Sequence, residues 1–159
     1  MAANFFQAEN EIMNLLKLFA LIAGALLPLQ AGINTQLKNY LGNASLASLV
    51  SFVAGAVSLL LYVGLLRPSL PSAGALGRVP WWAWVGGGVC GAIYVVLVIL
   101  TVQRLGAAIG FSLIIAGQMV MSAVLDQFGW VGFQPHAMSL GRGIGLALVV
   151  LGVVLIRKF

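Results

Sequence analysis

Most polar side chains within the apolar runs of this sequence are primary amides and hydroxyls. Gln30 and Asn34 stand four residues apart in one run, and Gln118, Ser122 and Asp126 follow one another at the same spacing in another. Residues four apart share one face of an α-helix. An amide in an apolar environment needs a hydrogen-bond partner, so it must face protein or a water-filled cavity. These residues could therefore line a solute cavity, although hydrogen bonds that only join helices would use the same side chains.

A cavity for a small organic solute is the chemistry that we predict from these residues. Its candidate lining residues are Gln30, Asn34, Ser51, Tyr94, Gln118 and Ser122. Tyr62, Tyr94 and Trp84 could offer aromatic faces to an organic cation. Pro28 lacks a backbone donor, so it is expected to kink the first apolar helix, either at a binding site or as a purely structural bend.

Asp126 is the only acidic residue after Glu11. It could be an ion or proton site at the mouth of a cavity, or a helix-end residue that pairs with a nearby cation. One histidine, one cysteine and one such acid provide poorly for hydrolysis or metal binding, so we expect no enzyme, no metal site and no cofactor. The Lys and Arg residues are scattered singly, which gives no indication of nucleic-acid binding.

The elements that carry these residues must be membrane-spanning helices. Of the 159 residues, 62% are hydrophobic and 7% are charged, whereas about a quarter of a soluble domain is charged. A helix needs roughly 20 mostly apolar residues to cross about 30 Å of hydrocarbon. Because the runs are continuously apolar, helices are expected rather than a β-barrel. The predicted spans cover residues 15–33, 44–66, 79–102, 105–125 and 138–156, each to within a few residues.

The sequence thus predicts an all-α integral membrane protein whose residues 13–159 form a single domain of five transmembrane helices. Residues 1–12 include two glutamates and form a polar N-terminal leader that we expect to be dispensable for assembly. Small residues let membrane helices approach closely, and three glycine pairs have the spacing of a packing motif. These pairs are Gly87 with Gly91, Gly106 with Gly110, and Gly141 with Gly145.

Five spans place the two ends of the chain on opposite sides of the membrane, and the cations divide evenly between these sides. On the N-terminal side lie Lys17, Arg67, Arg78 and Arg142, and on the other side lie Lys38, Arg104, Arg157 and Lys158. Lys and Arg orient membrane proteins, so four against four favours neither direction of insertion. Either another feature orients the chain, or copies insert both ways and pair head to tail, or the chain pairs with a different chain of opposite bias.

Residues 28–37, which read PLQAGINTQL, look like the first-helix signature of the YdcZ family. That family is a small five-helix branch of the drug/metabolite transporter (DMT) superfamily. Further similarities lie at residues 51–55, 80–91, 117–118 and 126–129, so the resemblance covers nearly the whole chain from about Leu18.

The resemblance implies half of a ten-helix transporter, integral to the cytoplasmic (inner) membrane of a prokaryote. In such families the unit occurs as dual-topology antiparallel homodimers, as oppositely oriented pairs or as fused repeats, and the even charge division agrees with the first. The expected function is transport of a small organic solute by alternating access. The expected partners are membrane lipid and a second copy of the chain, and the two copies together form the inverted repeat. The alternatives are a scaffold or accessory subunit that transports nothing, and a lipid translocase.

Overall fold

Long apolar segments form helices here because a helix satisfies its backbone hydrogen-bonding groups within its own segment, which lipid cannot do. The computed structural model describes residues 2–158, and its regular elements are helices joined by short loops. They are α1 (Ala2–Leu41), α2 (Ala44–Leu66), α3 (Ala73–Leu76), α4 (Trp81–Leu105), α5 (Ala107–Phe128), a 3-10 turn at Trp130–Gly132, and α6 (Leu140–Lys158).

Within the described residues, five helices are long and apolar enough to cross a membrane. These segments are Glu9–Leu41, Ala44–Leu66, Trp81–Leu105, Ala107–Phe128 and Leu140–Lys158. The prediction of an all-helical chain with five spans is confirmed. The second helix has the predicted bounds, and the last three are shifted by two or three residues toward the C-terminus.

Helix α1 departs most from its predicted bounds. It has 40 residues, so it is about 60 Å long and roughly twice as long as the hydrocarbon layer is thick. The described part of the predicted leader, residues 2–12, forms its first turns, and the polar segment after residue 33 stays helical to Leu41. The helix also continues through Pro28, whose ring removes one backbone donor without ending the helix.

The loops end the membrane helices by identifiable local devices. The Asn43 side-chain oxygen accepts hydrogen bonds from the backbone N–H groups of Ser45 (2.8 Å) and Leu46 (3.1 Å), which caps α2. At the other end of α2, Arg67 adopts a left-handed conformation with φ 45°. Gly106 turns the chain between α4 and α5 with φ 83°, a conformation that glycine adopts without a steric penalty.

The chain divides into two compact units, Met1–Ile99 and Leu100–Phe159. In the first unit α1 packs against α2, and a small buried cluster joins α2 to α4. The cluster consists of Ala44, Ala47, Val95 and Ile99. Beside it, a Cβ added to Gly91 would lie 3.1 Å from the ring of Phe52, so this glycine allows the two helices to approach closely.

In the second unit α5 packs against α6, and its first turns lie close to the end of α4. A Cβ added to Gly110 would lie 3.1 Å from the Val102 side chain, so the bare glycine backbone fits tightly there. Gly110 and Ser112 are the buried residues of α5, and Val153 is the buried residue of α6.

The chain buries few of its own hydrophobic side chains. Among the described side chains, the buried hydrophobic ones are Ala31, Ala44, Ala47, Val95, Val98, Ile99 and Val153. Large residues such as Leu21 and Leu60 stay mostly exposed on their helices. Lipid tails are as apolar as leucine, so such residues can face the bilayer. Polar residues that stay exposed on the same helices need other partners.

Candidate functional site

Four of the predicted cavity residues come together in the first unit. An open cavity of about 450 Å³ is lined by two amides, one hydroxyl and four aliphatic side chains, namely Gln30, Asn34, Ser51, Leu26, Leu27, Leu29 and Ile33. Tyr94 meets Gln30 and Asn34 around a second space of about 10 Å³. That volume is near the lower limit for one water molecule. Helices α1, α2 and α4 therefore all contribute polar groups to this amide cavity, the name used below for both spaces.

The two amides differ in how far they are enclosed. Gln30 is exposed, whereas Asn34, one turn further along α1, is only 3% exposed. The side-chain hydrogen bonds among the described residues include none to the Asn34 amide, although the nearby Thr35 hydroxyl donates to the carbonyl of Ala31 at 2.8 Å. The donor and the acceptor of the Asn34 amide can therefore form hydrogen bonds with a solute in the cavity.

The chemistry of the amide cavity is neutral. Within the described part of the chain, its lining combines amides, a hydroxyl, a phenol ring and aliphatic carbon, with no charged side chain. Such a lining can hydrogen-bond an uncharged polar solute, and the half-buried Tyr94 ring can contact a planar or cationic group. Tyr62 and Trp84, the other predicted aromatic contacts, are 59% and 60% exposed and line neither space.

Ser48 is a buried polar residue that the sequence does not single out for a site. It is 4% exposed, and its hydroxyl oxygen has no hydrogen-bond partner among the described residues. It lies at the wall of a separate, mainly apolar groove of about 500 Å³ between α2 and α4, which Phe52 and Leu97 also line. Its spacing of three from Ser51 is the only sequence signal that could have drawn attention to it, because its burial depends on packing against α4.

The second unit contains a charged cavity of about 330 Å³ where α5 ends and α6 begins. Its polar lining residues are Ser122, Asp126, His136 and Arg142, and its apolar side includes Met119, Met138 and Leu146. Arg142 Nη1 lies 3.5 Å from Asp126 Oδ2 and donates a hydrogen bond to the carbonyl of His136 at 3.3 Å. The predicted pair of Ser122 and Asp126 thus lies at one cavity, and the structure gives Asp126 a cationic partner.

The segment between α5 and α6 folds back onto the end of α5. The His136 backbone N–H donates to the carbonyl of Asp126 at 2.8 Å, and the Met138 N–H donates to Gln127 Oε1 at 2.7 Å. The roles of His136 and Gln127 are not predictable from the sequence pattern. Their hydrogen bonds hold the loop that supplies one wall of the charged cavity.

Of the remaining predicted residues, Gly145 lies at the wall of the charged cavity and the others line neither cavity. Gln118 is exposed on α5 and lines none of the cavities described above. Of the six glycines predicted to pack helices, Gly91 and Gly110 make close approaches and Gly106 forms a turn. A Cβ on Gly87, Gly141 or Gly145 would meet no atom of the described residues within 4 Å, so the described part of the chain shows no close packing at these three.

Comparison with known families agrees with this architecture. The family model described as "Putative inner membrane exporter, YdcZ" matches residues 15–155, which reach into all five membrane-spanning helices. No curated protein and no solved structure matches the chain. A match over most of the chain, together with five helices able to span a bilayer, identifies an inner-membrane protein of a transport family. The chain therefore belongs to the YdcZ family.

Proposed function

We propose that this chain is one half of a DMT-type transporter that moves a small, uncharged, polar organic solute by alternating access. The transporting unit is an antiparallel homodimer, in which two copies provide the inverted repeat that other transporters carry within one chain. Membership of an exporter family supports transport in general. The amide cavity supports the class of solute.

The Asn34 amide is the observation that carries the proposal. It is 3% exposed at the wall of a cavity of about 450 Å³, and the described residues give it no side-chain hydrogen bond. A site built to hydrogen-bond a ligand discriminates strongly, because a ligand without the matching group leaves a buried amide unpaired. Gln30 and Ser51 lie near enough to bind other polar groups of the same solute.

The neutral lining supports an uncharged solute over an organic cation. A cation that leaves water needs a compensating negative charge, and Asp126 does not line the amide cavity. Tyr94 alone could attract a cation through its ring, but this attraction is worth only about 0.5–2 kcal/mol. We therefore expect solutes that carry amide or hydroxyl groups to be preferred.

Two observations support the antiparallel homodimer. The cations divide four against four between the two sides of the membrane, which allows both directions of insertion. The described residues also include few buried side chains, and exposed polar residues on the helices, such as Gln30 and Gln118, need partners that lipid does not provide.

The proposal is tested by thermal unfolding of the purified protein in detergent against a panel of neutral amides, polyols and nucleosides, with quaternary aromatic cations as a second class. A ligand that binds only the folded form stabilises it by an amount that grows with the logarithm of the ratio of its concentration to its dissociation constant, and so raises the midpoint. We expect a neutral solute to stabilise the parent. Gln30→Leu and Asn34→Leu should lose that stabilisation and transport in vesicles, whereas Gln36→Leu, an exposed amide of α1 outside the cavity, should keep both.

Other outcomes would point elsewhere. If no solute of either class stabilises the protein or is transported, an accessory subunit becomes the better account. If phospholipid rather than a water-soluble solute is moved between the leaflets of vesicles, the protein is a lipid translocase. Equal stabilisation of the parent and of Asn34→Leu would remove Asn34 from the site.

A further inference from the structure

Gln118 is an exposed amide for which the described residues provide no partner. It stands at the midpoint of α5 (Ala107–Phe128), a helix of 22 residues, and its side chain is exposed. The side-chain hydrogen bonds among the described residues include none to its amide. Charged side chains are absent from α5 before Asp126, so nothing on this helix draws water to its middle. A primary amide at the centre of a bilayer must find a polar partner, and lipid offers none.

We infer that the partner of Gln118 is Gln118 of a second, inverted copy of this chain. The inference rests on the antiparallel dimer of the proposed function and adds the surface at which the two copies meet. The sequence left open whether Gln118 lines a cavity or joins helices, and this inference assigns the second role.

Symmetry singles out a residue at the middle of a span. A two-fold axis in the membrane plane carries every residue to the opposite depth, so only residues at the midplane can meet their own copies. A primary amide has both donors and an acceptor, so two such groups facing each other across the axis can form two mutual hydrogen bonds. Gln118 has the depth and the chemistry for this contact.

The rest of the α5 face fits the same arrangement. Ser122 and Asp126 follow Gln118 at successive steps of four residues, so the three lie along one face. Eight residues of helix rise about 12 Å, which takes Asp126 from the midplane almost to the edge of a hydrocarbon layer about 30 Å thick. Two inverted copies that meet at Gln118 therefore place polar residues in succession from one membrane surface to the other.

The prediction is tested by cysteine cross-linking in membranes that carry the full chain with Cys90→Ala. Residues 114 and 122 lie about one helical turn before and one turn after Gln118. When two α5 helices run in opposite directions and meet at Gln118, residue 114 of one copy therefore lies beside residue 122 of the other. Two differently tagged copies, one with Ile114→Cys and one with Ser122→Cys, are therefore co-expressed and oxidised. Gln118→Cys is oxidised alone. Val120→Cys, 50% exposed at a similar depth but about 200° around the helix, is the matched control.

We expect Gln118→Cys to cross-link to itself and Ile114→Cys to cross-link to Ser122→Cys. Ser122→Cys alone and Val120→Cys should give at least tenfold less product. Cross-linking of Ser122→Cys to itself, without the mixed product, would show parallel helices and overturn both the inference and the antiparallel dimer.

A separate measurement keeps the two failures distinct. The topology of the Cys90→Ala background is read from the accessibility of a C-terminal cysteine on both sides of the membrane, in a copy without the α5 cysteines. Both orientations without any cross-link at residues 114, 118 and 122 would retain the antiparallel dimer and overturn the α5 contact alone. If a cysteine variant fails to insert, Gln118→Asn, which keeps the amide, is compared with Gln118→Leu, and only the leucine variant should lower the dimer fraction.

Discussion

Arg142 in the first turn of α6 forms an ion pair with Asp126 in the last turn of α5, with 3.5 Å between Nη1 and Oδ2. Each residue is at the end of its helix where the helix dipole disfavours its charge. A cation near a helix N-terminus and an anion near a helix C-terminus each interact unfavourably with the helix dipole. The attraction between Arg142 and Asp126 offsets these two unfavourable interactions. The pair also lies at the charged cavity and supports the loop that folds over it.

We expect the ion pair itself to contribute little to stability. The two side chains are 46% and 32% exposed, and pairs of this kind contribute about 0–1 kcal/mol. Asp126→Asn should therefore lower the free energy of unfolding by less than about 1 kcal/mol. Arg142→Gln should have a larger effect, because Arg142 also donates to the His136 carbonyl. Thermal unfolding in detergent measures both, with Arg78→Gln, an exposed arginine in the loop before α4, as the charge-matched control.

A loss of several kcal/mol in Asp126→Asn would contradict this account. It would mean that Asp126 is enclosed by another chain and contributes to a site that the single chain does not complete.

The Asn43 cap makes a second prediction. Asn43→Ala removes the acceptor for two backbone N–H groups of α2 and should lower the free energy of unfolding by about 1 kcal/mol. Asn43→Ser retains a capping oxygen and should unfold within a few tenths of a kcal/mol of the parent. Denaturation of the three proteins in matched detergent checks the order. Equal stability of the alanine and serine variants would show that water or lipid headgroups satisfy this helix end.

The glycines of α4 provide a matched pair. Gly91→Ala forces its methyl group to within 3.1 Å of the Phe52 ring, which must shift, whereas Gly87→Ala meets nothing within 4 Å. Overpacking costs typically 1–3 kcal/mol, and the partly exposed Phe52 ring can move, so we expect about 1 kcal/mol for Gly91→Ala. Gly87→Ala should be neutral or stabilising, because alanine favours helix by up to about 1 kcal/mol.

The same measurement can reveal a second copy at α4. If Gly87→Ala is destabilising and also lowers the dimer fraction in cross-linking, then Gly87 packs against another chain, as its position in a glycine pair predicts.

Removal of the N-terminal segment tests the dispensability of the predicted leader. Residues 2–12 form the first turns of a helix that is already longer than the membrane is thick, so the remaining helix still spans it. A chain that starts at Met13 should insert, dimerise and unfold at the same temperature as the parent, to within a few degrees. Loss of the folded protein, or a change in the ratio of orientations, would show that the segment directs assembly.

Hydropathy predicts the number of membrane helices well but not how far they continue. Hydropathy detects only the apolar residues that match the hydrocarbon layer. Helix α2 is mostly apolar along its whole length, so it is predicted with its observed bounds. Helix α1 continues beyond its apolar part because backbone hydrogen bonds persist in water and headgroups, so its polar residues from Asn34 to Asn39 remain helical. The Asn43 cap was not predicted because hydropathy does not include it, although an asparagine directly before an apolar run is typical of a helix N-cap.

The candidate site was predictable only in part, for a similar reason. Helical spacing puts Gln30 and Asn34 on one face of α1, but their meeting with Tyr94 depends on how α1 packs near α4. The division of the candidates into an amide cavity and a charged cavity likewise depends on tertiary packing. Their roles in transport stay predictions until a ligand is found.

The insertion of the chain in both directions is the central claim, and its topology is the most direct measurement. Cys90 is replaced with Ala, a single cysteine is added after Phe159, and intact cells are labelled with a membrane-impermeant thiol reagent before and after permeabilisation. The account predicts that about half of the protein is labelled from outside, because four cations on each side favour neither orientation. Labelling of nearly all or almost none from outside would show one fixed orientation and contradict the antiparallel homodimer.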